Sequence, residues 1–98
     1  MNFFINQNDT SPDIECDLIS NGALVDLTGA SVQFVMGDLV DAPAMIVNNN
    51  GRVRYVWQDT DTAIAGTHKA NFQVIFANGK RETFPNNGYI LITINPEL

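Results

Sequence analysis

The chain has 98 residues, enough for one domain with a modest core, and its 45% hydrophobic and 16% charged residues exclude a disordered tail. Eleven acidic against five basic residues give a net charge of −6 with no basic patch, which predicts no nucleic-acid partner. The sequence has no stretch long and apolar enough to predict membrane insertion and no signal-peptide pattern, and its one cysteine, Cys16, excludes an internal disulfide.

Polar and apolar residues alternate with a period of two through most of the chain, and helical periodicity is nearly absent. This alternation is typical of β-strands that bury one face. We expect the long strand near residue 70 to lie at the centre of its sheet. In chain order, the predicted strands are residues 13–18, 31–36, 44–47 as a short edge strand, 52–57, 67–76, 80–84 and 89–94.

The connections carry turn residues, including four Asn-Gly pairs, because Asn and Gly tolerate positive φ at little cost. Residues 62–65 are predicted to form a single helical turn that Gly66 ends. Asn78-Gly79 is predicted to close a two-residue hairpin. Pro85 lacks a backbone donor, so we expect it to end an edge strand.

These elements predict an all-β fold, an immunoglobulin-like antiparallel β-sandwich of seven to eight short strands. No linker, repeat or low-complexity tract interrupts the chain. We therefore expect residues 1–98 to form a single β-sandwich domain.

The most suggestive charged feature is the acidic row, formed by Asp13, Glu15 and Asp17 on one face of a predicted strand. Like charges on one face repel one another. In an immunoglobulin-like strand order Arg52 and Arg54 lie opposite, so we predict cross-strand ion pairs. The alternatives are a site for a cation or a basic partner, and protection of a sheet edge against aggregation. The acidic row is thus a candidate for partner binding.

Four aspartates raise the question of a calcium site. Asp59 and Asp61, together with Asp38 or Asp41, would supply carboxylate oxygens, but the EF-hand pattern is missing. We expect these residues to cap turns instead, and no metal ligand is predicted.

Cys16 and His68 invite comparison with a catalytic nucleophile and its base, since both fall on the apolar faces of their strands. Neither an orienting residue nor an oxyanion hole can be assigned. We expect Cys16 in the core and His68 at its edge with one ring nitrogen hydrogen-bonded. We predict no catalytic residue, no cofactor and no small-molecule substrate, and we expect the protein not to be an enzyme.

Three aromatic residues would suit a sugar-binding platform: Tyr55, Trp57 and Tyr89. Tyr55 and Trp57 share the inward phase of Val53, so core packing is the better prediction for both. Tyr89 follows a polar turn and is expected to be exposed. It is therefore the fourth candidate residue for partner binding.

Several segments together resemble a known phage module. The opening carries FFINQNDT at 3–10 and IECDL at 14–18. The later segments are DLTGASVQF at 26–34, GRVRY at 51–55, GTHKANFQV at 66–74, the Asn-Gly turn at 78–79, TFP at 83–85 and YILITI at 89–94. Over nearly the whole chain this combination resembles the N-terminal domain of the baseplate upper proteins of tailed bacteriophages.

The resemblance implies an immunoglobulin-like β-sandwich that attaches a larger structural protein to the tail tip or baseplate and helps to present receptor-binding proteins. Its partners would be other virion structural proteins in an oligomeric assembly. The protein would be made and folded in the bacterial host cytoplasm and then reside in the virion. The alternative is a free-standing capsid-decoration protein, or a soluble binding module for a cell-surface glycan or a host protein.

Overall fold

The computed structural model describes residues 1–98 and contains ten β-strands and no helix. No helix that could cross a membrane is therefore present. The strands are β1 (Asn2–Asn6), β2 (Ile14–Asp17), β3 (Ile19–Ser20), β4 (Ala23–Leu24), β5 (Ser31–Met36), β6 (Val40–Asn48), β7 (Arg52–Tyr55), β8 (Gly66–Ile75), β9 (Arg81–Phe84) and β10 (Ile90–Asn95).

Eight of the strands form one continuous sheet that folds over itself. Its order is β1-β10-β8-β5-β6-β7-β2, with β9 paired to β8 alone, while β3 and β4 form a separate small hairpin. Strand β8 is central, as predicted, because β5 lies along one side while β10 and β9 share the other. The all-β sandwich prediction is confirmed.

The structure adds two features to the predicted sandwich. Strand β1 pairs in parallel with β10, so the sheet is mixed rather than purely antiparallel. The strand number rises to ten because the sequence pattern does not predict β1 or the β3–β4 hairpin. Each element of that hairpin has only two residues, too few to show alternation.

The predicted strand at 44–47 is present, but it belongs to a longer strand that lies inside the sheet order rather than at its edge. Strand β6 has nine residues, pairing with β5 through Ala44 and with β7 from Met45 onward, and it carries a register shift near its end. It thus passes from one layer to the other and makes the sandwich barrel-like. Pro43 lies within β6 where only β5 is a neighbour, so its missing donor can face an unpaired edge.

The predicted helical turn at 62–65 was also wrong. Two successive backbone turns occupy this connection, and Thr60 adopts φ 78°. The Thr62 side chain is buried, and its hydroxyl donates a hydrogen bond of 2.8 Å to the Asp9 carbonyl. This hydrogen bond links the connection to the N-terminal loop. Gly66, with φ 132°, begins β8 rather than ending a helix.

The β8–β9 hairpin has a three-residue loop rather than the predicted two-residue loop. The Phe76 amide donates a hydrogen bond of 2.8 Å to the Lys80 carbonyl. The Gly79 amide donates another, also of 2.8 Å, to the Phe76 carbonyl. Gly79 has a φ of 85°, so it is the residue in the left-handed conformation that follows the tight turn in this type of hairpin. The edge-strand prediction for Pro85 is confirmed, since β9 ends at Phe84 and pairs only with β8.

A single cluster of 19 buried hydrophobic residues fills the space between the layers. Phe34 lies at its aromatic centre, stacked on Tyr55 with ring centroids 4.6 Å apart and in contact with Phe72 at 5.1 Å. The inward placement of Tyr55 and Trp57 is confirmed, because each is only 2% exposed. The indole N–H of Trp57 donates 3.1 Å to the Pro12 carbonyl, which satisfies its one polar atom.

Replacing Gly51 with alanine should destabilise the fold more than the same change at Gly22. Both glycines have positive φ, which costs alanine about 1–2 kcal/mol. A Cβ at Gly51 would also lie 3.0 Å from the Leu18 carbonyl oxygen and 3.2 Å from the Val25 amide nitrogen, whereas at Gly22 it would meet nothing. Urea unfolding should therefore give Gly51→Ala a loss at least about 1 kcal/mol larger. Equal losses would contradict this packing.

Candidate functional site

The acidic row pairs with two arginines across β2 and β7, as predicted. The register places Glu15 opposite Arg54 and Asp17 opposite Arg52. Glu15 lies at the centre, with one carboxylate oxygen 2.8 Å from Arg52 Nε and the other 3.0 Å from Arg54 Nε.

The two flanking carboxylates are held less closely. Asp17 lies 3.2 Å from Arg52 Nη1, and Asp13 lies 3.9 Å from Arg54 Nε. The hydrogen bonds from Arg52 and then Arg54 hold the pKa of Glu15 below its usual 4.5. The ion pairs explain how three carboxylates are tolerated on one strand. Both arginines nevertheless approach from one side of β2, since β7 is the sole neighbour of that strand.

A cleft of about 330 Å³ opens between β2 and the segment that runs from β9 to β10. It lies where two strands lack a neighbour: β2 is the last strand in the sheet order, and β9 pairs only with β8. Its apolar lining includes Cys16, Leu18, Phe72, Phe84 and Ile90. The Ser20 hydroxyl donates a hydrogen bond of 2.7 Å to the Glu82 carboxylate, which links β3 to β9.

Two of the four candidate residues for partner binding meet at this cleft. Asp17 and Tyr89 both line it, together with Asn86 and Asn87. Tyr89 is 44% exposed, as predicted, and Lys69 Nζ lies 4.7 Å from the centre of its ring. Asp13 precedes β2 and Glu15 lies within it, but neither residue lines the cleft. Sequence reasoning missed the cleft itself, although the Pro85 signal for an edge strand marks one of its walls.

Cys16 and His68 have separate surroundings, so the hypothetical nucleophile and base are not assembled. Cys16 is partly buried, packs against the core and lines the cleft. Burial raises the pKa of its thiol to about 11. His68 lies on β8 opposite Ile92, and one ring nitrogen lies 3.0 Å from the Ile64 carbonyl oxygen, the single hydrogen bond that was predicted.

The aspartates considered for calcium make other contacts. Asp61 accepts hydrogen bonds from the Tyr55 hydroxyl and the Gln58 amide. Asp41 accepts one from the Gln33 side chain at 3.0 Å. No group of three or more His, Cys, Asp or Glu side chains is arranged to hold a metal ion.

The Glu15→Gln variant should be less stable than the wild type at neutral pH, and the difference should shrink as the pH falls below about 4.5. The folded-state pKa of Glu15 is lowered, so its charge stabilises the fold above the unfolded-state pKa, and this contribution is lost as the pH falls through the folded value. Urea midpoints measured across this range test the expectation.

Asp38→Asn is the matched control, because it removes an exposed carboxylate that makes no ion pair. It should leave the urea midpoint nearly unchanged throughout. A Glu15→Gln deficit that stays constant from neutral pH down to about pH 2, below the range in which carboxylates titrate, would contradict the electrostatic explanation.

Native Cys16 should react slowly with N-ethylmaleimide at about pH 8, because the thiolate is the reactive form. Raising the thiol pKa from 9.0 to about 11 lowers the thiolate population roughly a hundredfold at that pH. Rates should continue to rise toward pH 11. The same chain unfolded in urea provides the control, and equal native and unfolded rates at about pH 8 would contradict the burial of this thiol.

Comparison with known proteins gives a likeness of fold. No protein-family model matches the chain, and no curated protein matches it. Among solved structures, CopC from Methylosinus trichosporium OB3b is similar, with a TM-score of 0.55 and 12% sequence identity. The alignment covers 99% of this chain and 86% of that chain. At this identity the likeness shows the fold alone, an all-β sandwich.

Proposed function

We propose that this chain is a non-enzymatic structural and interaction protein of a tailed-bacteriophage virion, acting as an attachment module in the baseplate or tail. The phage assignment rests on the resemblance of its strand and turn segments to baseplate upper proteins. Its partners are other virion structural proteins, and it works in an oligomeric assembly. It is made in the cytoplasm of the bacterial host and resides in the virion.

The cleft is the observation that carries the interaction role. Most strands of the sheet are hydrogen-bonded to neighbours on both sides. At this site two strand edges without a neighbour lie beside an apolar recess with exposed side chains at its rim. Ile19 and Tyr89 line the cleft and are 53% and 44% exposed. Unpaired edges and exposed apolar surface are features by which one protein adds to another.

Two observations favour binding over catalysis. The nucleophile and base suggested by the sequence lie in separate surroundings, and His68 is already bonded to a backbone carbonyl. The raised pKa of Cys16 keeps its thiol protonated at neutral pH, the opposite of an activated nucleophile.

The alternative is a free-standing capsid-decoration protein or a soluble binding module for a cell-surface glycan or a host protein. Tyr89 is the observation that favours a glycan. Its exposed ring lies beside Asn86 and Asn87 at the cleft, and an aromatic face with neighbouring amides suits a sugar.

Phage particles purified from lysates of the strain that encodes the chain provide the test. Mass spectrometry should find the protein in intact particles and, after their disruption, with the tail or baseplate fraction. An abundant host protein measured in the same fractions sets the level of contamination. Recovery with capsids would support the decoration role. Absence from particles, together with binding to a glycan array, would overturn the virion proposal in favour of the soluble module.

A further inference from the structure

The free edge of β2 lies along a recess that is ready for an added strand. An edge strand directs half of its backbone N–H and C=O groups away from its one neighbour. On β2 those groups point away from β7, on the side where Cys16 and Asp17 line the cleft. A second extended chain placed there would find backbone partners and an apolar recess together.

We propose that this edge binds an extended segment of another protein that alternates basic and apolar residues. The apolar side chains of the segment enter the cleft, and its basic side chains pair with the acidic row. This inference rests on the proposed interaction role and deepens it by naming the chemistry of the partner.

The two faces of β2 set the alternation. Ile14 and Cys16 face the core side, while Glu15 and Asp17 face outward. Neighbouring strands in a sheet share this alternation, so the inward residues of an added strand fall over the cleft. There they meet the apolar side chains of Cys16, Phe84 and Ile90.

Charge complementarity identifies the outward residues of the partner. The acidic row has three carboxylates, and its two arginine partners both come from β7. Asp17 remains 48% exposed and contacts only Arg52. Basic residues of the added segment, on the side of β2 away from β7, would complete the pairing of these carboxylates. Strand β7 already has this pattern, since Arg52 and Arg54 face the acidic row while Val53 and Tyr55 face the core.

The same charges disfavour a second copy of this chain as the occupant. Antiparallel pairing of two β2 edges would set carboxylates of one acidic row beside those of the other, and like charges on facing strands are destabilising. Each chain also carries a net charge of −6. The acidic row thus protects the edge against self-association and selects a basic segment from another protein.

The probe is a short, end-blocked, fluorescent peptide of alternating arginine and valine, added to the full chain. Two peptides serve as controls: one replaces arginine with glutamate, and the other replaces valine with serine. Fluorescence anisotropy should show saturable binding of the arginine–valine peptide only. No saturable binding of this peptide, or equal binding of the arginine–serine peptide, overturns the proposal.

Asp17→Arg tests the charged contact. It should weaken binding about fivefold or more, since it replaces an attractive cross-strand pair with a repulsive one. Asp38→Arg makes the same change of charge in the exposed turn between β5 and β6, away from the cleft. The Asp38→Arg variant should bind the arginine–valine peptide nearly as well as the wild type does. Equal weakening by both variants would show a general effect of net charge and overturn the proposed site.

A wild-type measurement keeps the proposal testable if Asp17→Arg does not fold. Cys16, the one cysteine, lines the cleft, so a bound peptide should slow its alkylation by N-ethylmaleimide. The arginine–valine peptide should protect it and the glutamate–valine peptide should not. Alkylation at the same rate with saturating arginine–valine peptide would overturn the proposal.

The two proposals fail separately. A protein found in particles that does not bind the arginine–valine peptide retains the virion role and loses the proposed edge site. A protein that binds this peptide but is absent from particles retains the edge site and loses the virion role.

Discussion

The packing of Phe34 against Tyr55, Trp57 and Phe72 is the contact on which the two-layered arrangement depends. Phe34 is fully buried on β5, stacks on Tyr55 of β7 at 4.6 Å and meets the edge of Trp57 at 5.6 Å. It also contacts Phe72 of β8 at 5.1 Å. Strands β5 and β7 do not pair directly, so these ring contacts, together with β6, hold the layers in register.

The position of the acidic row follows from this core. Because Val53 and Tyr55 are buried, the alternation of β7 turns Arg52 and Arg54 outward, where Glu15 bridges them. Strand β2 is thereby attached to the sheet through β7 alone, and its other edge remains at the cleft. The ion pairs therefore do more than relieve repulsion among carboxylates: they align an edge strand whose free side is the most distinctive surface of the molecule.

The fold by itself does not identify an interaction role, and the free edge of β2 with its cleft is the surface that supports one. Sandwiches of this kind serve unrelated functions, and the likeness to CopC concerns chain architecture at 12% identity. The chemical features of this surface are a partly buried thiol in an apolar cleft, a row of carboxylates paired with arginines from one side, and an exposed tyrosine nearby. Such a set of groups is suited to contact with another macromolecule, through apolar burial and charge pairing.

The sequence by itself determined the strands with clear alternation, the inward faces of Tyr55 and Trp57, and the pairing of the acidic row with two arginines. The strands and inward faces follow from the two-residue repeat of a strand, whereas the ion pairs, which join residues 35 to 39 positions apart, also required the expected immunoglobulin-like strand order. Only the tertiary structure decided the passage of β6 between layers, the parallel pairing of β1 with β10, and the cleft. The β1–β10 pairing and the cleft join residues far apart in the chain, whereas β6 changes its partner between two strands that are its neighbours in sequence. In each case the selection depends on the energy of the complete core rather than on any local pattern.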